Sequence, residues 1–189
     1  MPWYLGGMTA PSPESRFLEM FPAWLRALGE DTAALGDIVT GDRPEPVRRY
    51  VVAGLNYLFK SLDLIPDGID DLGFMDDAFV LRVAASLART ESPTAAEGEG
   101  DVLTRLADDA RAVKEFLGDD YARLEGYVKN LRKGAARGRT VDDIMKDAAI
   151  RAAFADEVKG WSQAFQAPSF TRDPKTLVKL KAFLSAKLP

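Results

Sequence analysis

Residues 62–77, "LDLIPDGIDDLGFMDD", carry six aspartates in a turn flanked on both sides by apolar helical sequence. On the N-terminal side Val47, Tyr50, Val51, Gly54, Leu55, Leu58 and Leu62 recur at helical spacing and make one apolar face. On the C-terminal side, a helix expected from about Asp77 to Ala88 is apolar almost all round, which places it at the centre of a core. The two runs therefore predict a central apolar helical hairpin joined by an acidic turn, with other helices covering it. Gly54 sits on the apolar face at a cost of about 1 kcal/mol relative to alanine. Close approach by a neighbouring helix is expected there.

The rest of the chain reads as helix as well. Ser12, Pro13 and Glu14 form a start signal, and Phe17, Leu18, Phe21, Trp24, Leu25 and Leu28 follow at helical spacing. Pro22 is expected to kink or split this helix, and Gly29 to stop it before a short helix over about residues 31–39. Further helices are expected over about 102–117, closed by Gly118, and about 120–133, closed by Gly134. Thr140 with Asp143 resembles a capping box opening a helix to about Gly160, and Asp173 with Pro174 caps a last one. The expected fold is all-α, a compact multi-helix bundle of seven or eight helices. "RTESPTAAEGEGD", residues 89–101, is poor in large apolar side chains. It predicts a linker over 91–101 between residues 1–90 and a C-terminal helical region, 102–189, packed on the first part. Protease is expected to cut first near Gly98 or Gly100.

Composition narrows the chemistry. The chain has no cysteine and no histidine, which removes disulfides, thiolate zinc sites and the commonest general base and metal ligand. A net charge of −4 argues against non-specific nucleic-acid binding, so no nucleic-acid partner is expected. "MPWYLGGMTAPSPE" lacks the pattern of a signal peptide, and no apolar run reaches the roughly 18 residues of a membrane span. The expected compartment is the cytoplasm.

Clustered carboxylates need compensation, because two of them about 6 Å apart repel by roughly 1–3 kcal/mol. One account is local. Asp63 caps a short turn containing Pro66, Asp76 or Asp77 caps the following helix, and Asp70 and Asp71 face water. Arg48, Arg49, Lys60 and Arg82 are then the available counter-charges. The other account is a hard divalent cation such as Mg²⁺ or Ca²⁺, for which this turn offers only oxygen ligands. The spacing is not that of an EF-hand. Asp63, Asp67, Asp76 and Asp77 are the candidate metal ligands, and no catalytic residue is assigned.

"YLFKSLDLIPDGIDDLGFMDDAFVLRVA" resembles the YkvA-like family, a bacterial domain of unknown function, over roughly residues 45–90. The resemblance rests on the Asp63–Asp67 turn, Asp-Leu-Ile-Pro-Asp, and on Gly73, Phe74, Asp76 and Asp77 opening a second apolar helix. Ser61 and Asp70 stand where the family usually has prolines. The resemblance implies the helical hairpin and singles out the same four acids, but it implies no catalytic activity.

Three other segments invite a function. Lys129, Arg132, Lys133, Arg137 and Arg139 form a basic run whose first members also complement a helix C-terminus. Residues 174–189 carry four lysines and a stripe of Leu177, Leu180, Leu184 and Leu188. That helix is expected to close the core, with a membrane surface as the alternative. Trp3, Tyr4 and Leu5 are expected to dock on the domain. The leading function is a non-enzymatic helical module whose acidic turn stabilises the fold and binds a cation or a basic protein partner. Its rivals are a Mg²⁺- or Mn²⁺-dependent phosphoester hydrolase and a peripheral membrane protein.

Overall fold

The computed structural model describes residues 10–95 and 100–189. Over these the chain is all-α: eight α-helices, one short 3-10 turn and a minimal β-hairpin. The N-terminal aromatics Trp3, Tyr4 and Leu5 and the cleavage site expected at Gly98 lie outside the described residues.

Helix α1 (Pro13–Thr40) starts where expected, with the Ser12 hydroxyl accepting from the Ser15 amide at 3.2 Å. It is not split at Pro22 and does not stop at Gly29. Pro22 is buried within the helix. Gly29 is a contact point, because a Cβ built on it would lie 3.1 Å from the Ser162 carbonyl oxygen of helix α7 (Ala148–Ala164). The chain thus accepts the propensity penalty of glycine, about 1 kcal/mol, for close packing of α1 on α7.

Helix α2 (Glu45–Tyr57) and helix α3 (Met75–Glu91) form the expected hairpin. Helix α2 ends earlier than the apolar pattern implied, and Leu62 is 84% exposed instead of completing the face. Gly54 faces α3, where an added Cβ would lie 3.2 Å from the Cβ of Ala84 and 3.3 Å from Leu81. Helix α3 is buried almost along its whole length. It packs between α2 and helix α4 (Val102–Leu117), and also touches helix α5 (Asp120–Leu131).

Helix α6 (Val141–Lys146) opens with the Thr140–Asp143 capping box but stops at Asp147. The single helix expected to Gly160 is therefore two helices. Asp147 is extended, and its carboxylate accepts from the amides of Ala149 and Ile150 to cap α7. Between α5 and α6, strands β1 (Ala135–Ala136) and β2 (Arg139–Thr140) pair antiparallel around Arg137 and Gly138, both with positive φ. That hairpin was not expected, since two-residue strands leave no alternation to read.

One continuous apolar core draws on all eight helices. The leucine stripe of helix α8 (Pro174–Lys187) is part of it, and Leu177, Leu180 and Leu184 are buried. The C-terminal helix therefore closes the core, with its lysines outside. Residues on both sides of the expected linker share this core.

Arg82 lies fully buried in the middle of α3. Its Nε donates to Asp109 at 3.2 Å, its Nη1 donates to the Ala78 carbonyl at 3.0 Å, and Asp31 lies 3.8 Å from its Nη2. Its guanidinium stacks 3.9 Å from the Trp24 ring centroid. Arg105 ties the other oxygen of Asp31. Burial pulls the Arg82 pKa down to about 10, with Asp109 and Asp31 opposing that shift.

The α2–α3 contact at Gly54 is expected to be intolerant of bulk. Gly54→Leu should lower stability by about 1–3 kcal/mol through overpacking, read as a shift in the urea midpoint without a large change in slope.

Candidate functional site

The acidic turn is built from overlapping backbone turns rather than from a capped helix. The Ile69 amide donates to Pro66 at 3.1 Å, Gly73 to Ile69 at 2.9 Å, and Met75 to Leu72 at 3.2 Å. Phe74 precedes α3 with φ 64° and supplies no side-chain cap. Gly73 is required by contact. A Cβ there would lie 2.2 Å from the Asp67 carbonyl oxygen.

This geometry corrects the capping account. Asp76 and Asp77 lie in the first turn of α3, but neither caps it. Both are enclosed, at 1% and 3% exposure. Asp76 Oδ2 accepts from the Tyr57 hydroxyl and from the Ile65 amide, the latter at 3.0 Å. Tyr57 in turn accepts from the Leu64 amide at 2.7 Å. The end of α2, the turn and the start of α3 are thereby latched through one carboxylate and one phenol. Asp63 makes no capping hydrogen bond. Its Oδ1 is enclosed without a partner, as are Asp76 Oδ1 and Asp77 Oδ2. Asp67 stands at the exposed edge of the group.

The two remaining aspartates differ from each other. Asp70 is exposed, as expected. Asp71, expected to face water, is half-buried at φ 65°. Its Oδ1 accepts from both the amide and the hydroxyl of Thr171, at 2.8 and 2.9 Å, tethering the turn to the segment before α8.

The expected counter-charges are mostly engaged elsewhere. Arg82 meets Asp109 and Asp31, Arg49 meets Glu45 and Asp142, and Arg48 donates to the Arg43 carbonyl. Lys60 is the cation whose charge acts on Asp63. Its ammonium lies 3.4 Å from the Tyr127 hydroxyl, and the Tyr127 ring stands perpendicular to Tyr57 at 6.1 Å.

Electrostatics follow from this imbalance. Burial pushes the Asp63 carboxyl up to about 7, and the charges of Asp76 and Asp67 push the same way. Burial raises Asp77 strongly, reinforced by Asp76, Asp67 and Asp63. Asp76 is also raised by burial, but its bonds from Tyr57 and Ile65 favour the ionised form. Partial burial raises Asp67. As a group, these side chains prefer to hold a proton or to meet an added cation. As they stand, no three acidic side chains among the described residues form a ready-made metal cage.

The larger hollows lie elsewhere. One of about 560 Å³ is lined by residues such as Pro11, Leu18 and Met20, and one of about 490 Å³ by Arg49, Arg132 and Lys133. A hollow of about 310 Å³ between Lys60–Leu62 and the β-hairpin runs beside the turn but is lined by none of its acids. The basic run is largely paired within the protein. Lys129 meets Glu125, Arg132 meets Glu91, and Arg137 and Arg139 both meet Glu157.

Nothing in the sequence places Tyr57 or Tyr127 at the acidic turn. No local pattern marks them, because their partners are set by how the turn folds back over α2. Neither a family model, a curated protein nor a solved structure matches this chain.

Two outcomes are expected. Gly73→Ala should unseat the turn, at the upper end of the about 1–3 kcal/mol typical of overpacking, seen as a lowered Tm. The second concerns pH. A carboxyl whose folded pKa is raised stabilises the fold below its unfolded value near 4 and loses that contribution as pH rises through the folded value, about 7 for Asp63. With divalent cations chelated, wild type should therefore lose Tm relative to Asp77→Asn as pH rises from about 4 to 8. Parallel pH profiles for the two proteins would contradict this.

Proposed function

We propose that this chain is a non-enzymatic helical module whose acidic turn fastens the α2–α3 hairpin and takes up positive charge, from a divalent cation or a basic partner. The observation that carries this reading is the Tyr57–Asp76 latch with three enclosed carboxylate oxygens beside it that no donor meets. A latch explains why a turn would draw aspartates out of water. The unmet oxygens explain why it would also bind something. The resemblance of residues 45–90 to the YkvA-like family fits the hairpin part of this reading, since that pattern is an apolar helix, an acidic turn and a second apolar helix.

The hydrolase alternative would use Asp63, Asp67, Asp76 and Asp77 to hold Mg²⁺ or Mn²⁺ and activate water. That chemistry needs carboxylates at the mouth of a pocket with an open coordination position. Asp76 and Asp77 are enclosed, and the acids of the turn line none of the larger hollows described above. The geometry favours holding an ion over turning over a substrate. Membrane association through α8 draws little support, because its leucines lie in the core. Among the described residues no helix is long and apolar enough to cross a membrane.

The test pairs stability with activity. Tyr57→Phe removes a donor from Asp76 and strands the buried Leu64 amide, so it should cost about 1–3 kcal/mol. Asp70→Asn, at an exposed site, should stay within about 0.5 kcal/mol of wild type. Wild type with Mg²⁺ or Mn²⁺ should not hydrolyse bis(p-nitrophenyl) phosphate above the rate of the metal alone. Turnover that is lost in Asp76→Asn would replace this reading with the hydrolase.

A further inference from the structure

The structure assigns the acidic turn one hard divalent cation, held by Asp76 Oδ1, Asp77 Oδ2 and Asp63 Oδ1. This deepens the reading above that the turn takes up positive charge, and rests on it. Each of the three oxygens is enclosed and has no hydrogen-bond partner. Asp76 cannot turn away to find one, because its other oxygen is fixed by Tyr57 and by the Ile65 amide. Its free oxygen is therefore presented in a set direction by the latch itself.

Burial decides between the two kinds of positive charge. Asp76 is 1% exposed and Asp77 3%, and the Leu64, Ile65, Leu72 and Met75 side chains around the turn are buried too. A lysine or arginine from a partner would have to drive a long stem through that shell, whereas a divalent ion stripped of its waters is smaller than a methyl group. The ligand chemistry points the same way. The chain contains no cysteine or histidine, so only oxygen donors are on offer, which suits Mg²⁺, Ca²⁺ or Mn²⁺ over softer metals.

Since no three acids are already drawn together among the described residues, the site is completed on binding. Asp77 and Asp76 are held by α3 and supply the fixed half. Asp63, half-buried on the turn, supplies the remaining oxygen, which must come closer to the other two for all three to meet one ion. Asp67, at the exposed edge, adds charge that attracts the ion without ligating it.

The probe is Tb³⁺, a lanthanide that replaces hard divalent cations and luminesces when a nearby tyrosine is excited. Tyr57 donates to a proposed ligand, and the Tyr127 ring lies 6.1 Å from it. Chelator-treated full-length protein should show saturable Tb³⁺ luminescence that Ca²⁺, Mg²⁺ or Mn²⁺ displaces, and at least one of these should raise Tm. Asp63→Asn and Asp77→Asn, which keep side-chain shape, should each weaken binding by about tenfold or more, while Asp70→Asn should leave it unchanged. Luminescence that survives in both ligand variants would overturn the assignment. So would the absence of both luminescence and any Tm shift with millimolar cation. If the latter result came with the expected destabilisation by Tyr57→Phe, the latch would stand and only the ion would be wrong. If Tyr57→Phe melted like wild type, the broader reading would fall with it.

Discussion

Helix α3 takes Asp76, Asp77 and Arg82 out of water within its first eight residues, and much of the fold is arranged to meet them. Removing an ion from water costs several kcal/mol even after the protein relaxes. A central helix that is apolar on every side would bury its charges against nothing. Here α1 brings Asp31 and Trp24 to Arg82, and α4 brings Asp109. The end of α2 brings Tyr57 to Asp76. The positions of α1, α2 and α4 around α3 are thus tied to particular polar partners as well as to packing.

The two charged places on α3 are met unequally. Arg82 has a carboxylate in hydrogen-bonding range, a second within ion-pair distance, a helix carbonyl and an aromatic face. The aspartates have a phenol and a backbone amide on one oxygen, and no arginine. One Arg82 nitrogen, Nη2, also lacks a hydrogen-bond partner, but the guanidinium keeps two carboxylates within ion-pair distance to balance its charge. A buried group left open in the manner of Asp76 and Asp77 is the pattern associated with ligand sites.

The hairpin and the identity of the acids were legible in the sequence because helical periodicity and charge clustering are local properties. Charge clustering could mark all six aspartates of the turn as a group. What Asp76 does could not be read from it, since its role depends on Tyr57 nineteen positions earlier and on the path of the turn between them. Asp71 reads as solvent-facing for a similar reason, as its partner Thr171 is a hundred residues away. Propensity makes Pro22 a kink or a split and Gly29 a stop, and α1 continues past both because packing against α7 and the core outweighs penalties of about 3 and about 1 kcal/mol. Asp147 does not stand out as a cap, since Ile144–Lys146 before it and Ala148 and Ala149 after it all read as helix.

The seat of α7 and α8 on α1 joins the earliest described helix to the latest ones. Contacts of such long sequence separation form late, after the loops they close have been restrained. During synthesis, α1 must wait for more than a hundred further residues to leave the ribosome before its Gly29 face is covered. Until then its main partners among the described helices are α2, α3 and α4. The aromatic cluster of Phe17, Phe21, Trp24, Phe79 and Phe116, which joins α1 to α3 and α4, lets an early nucleus form without the C-terminal helices.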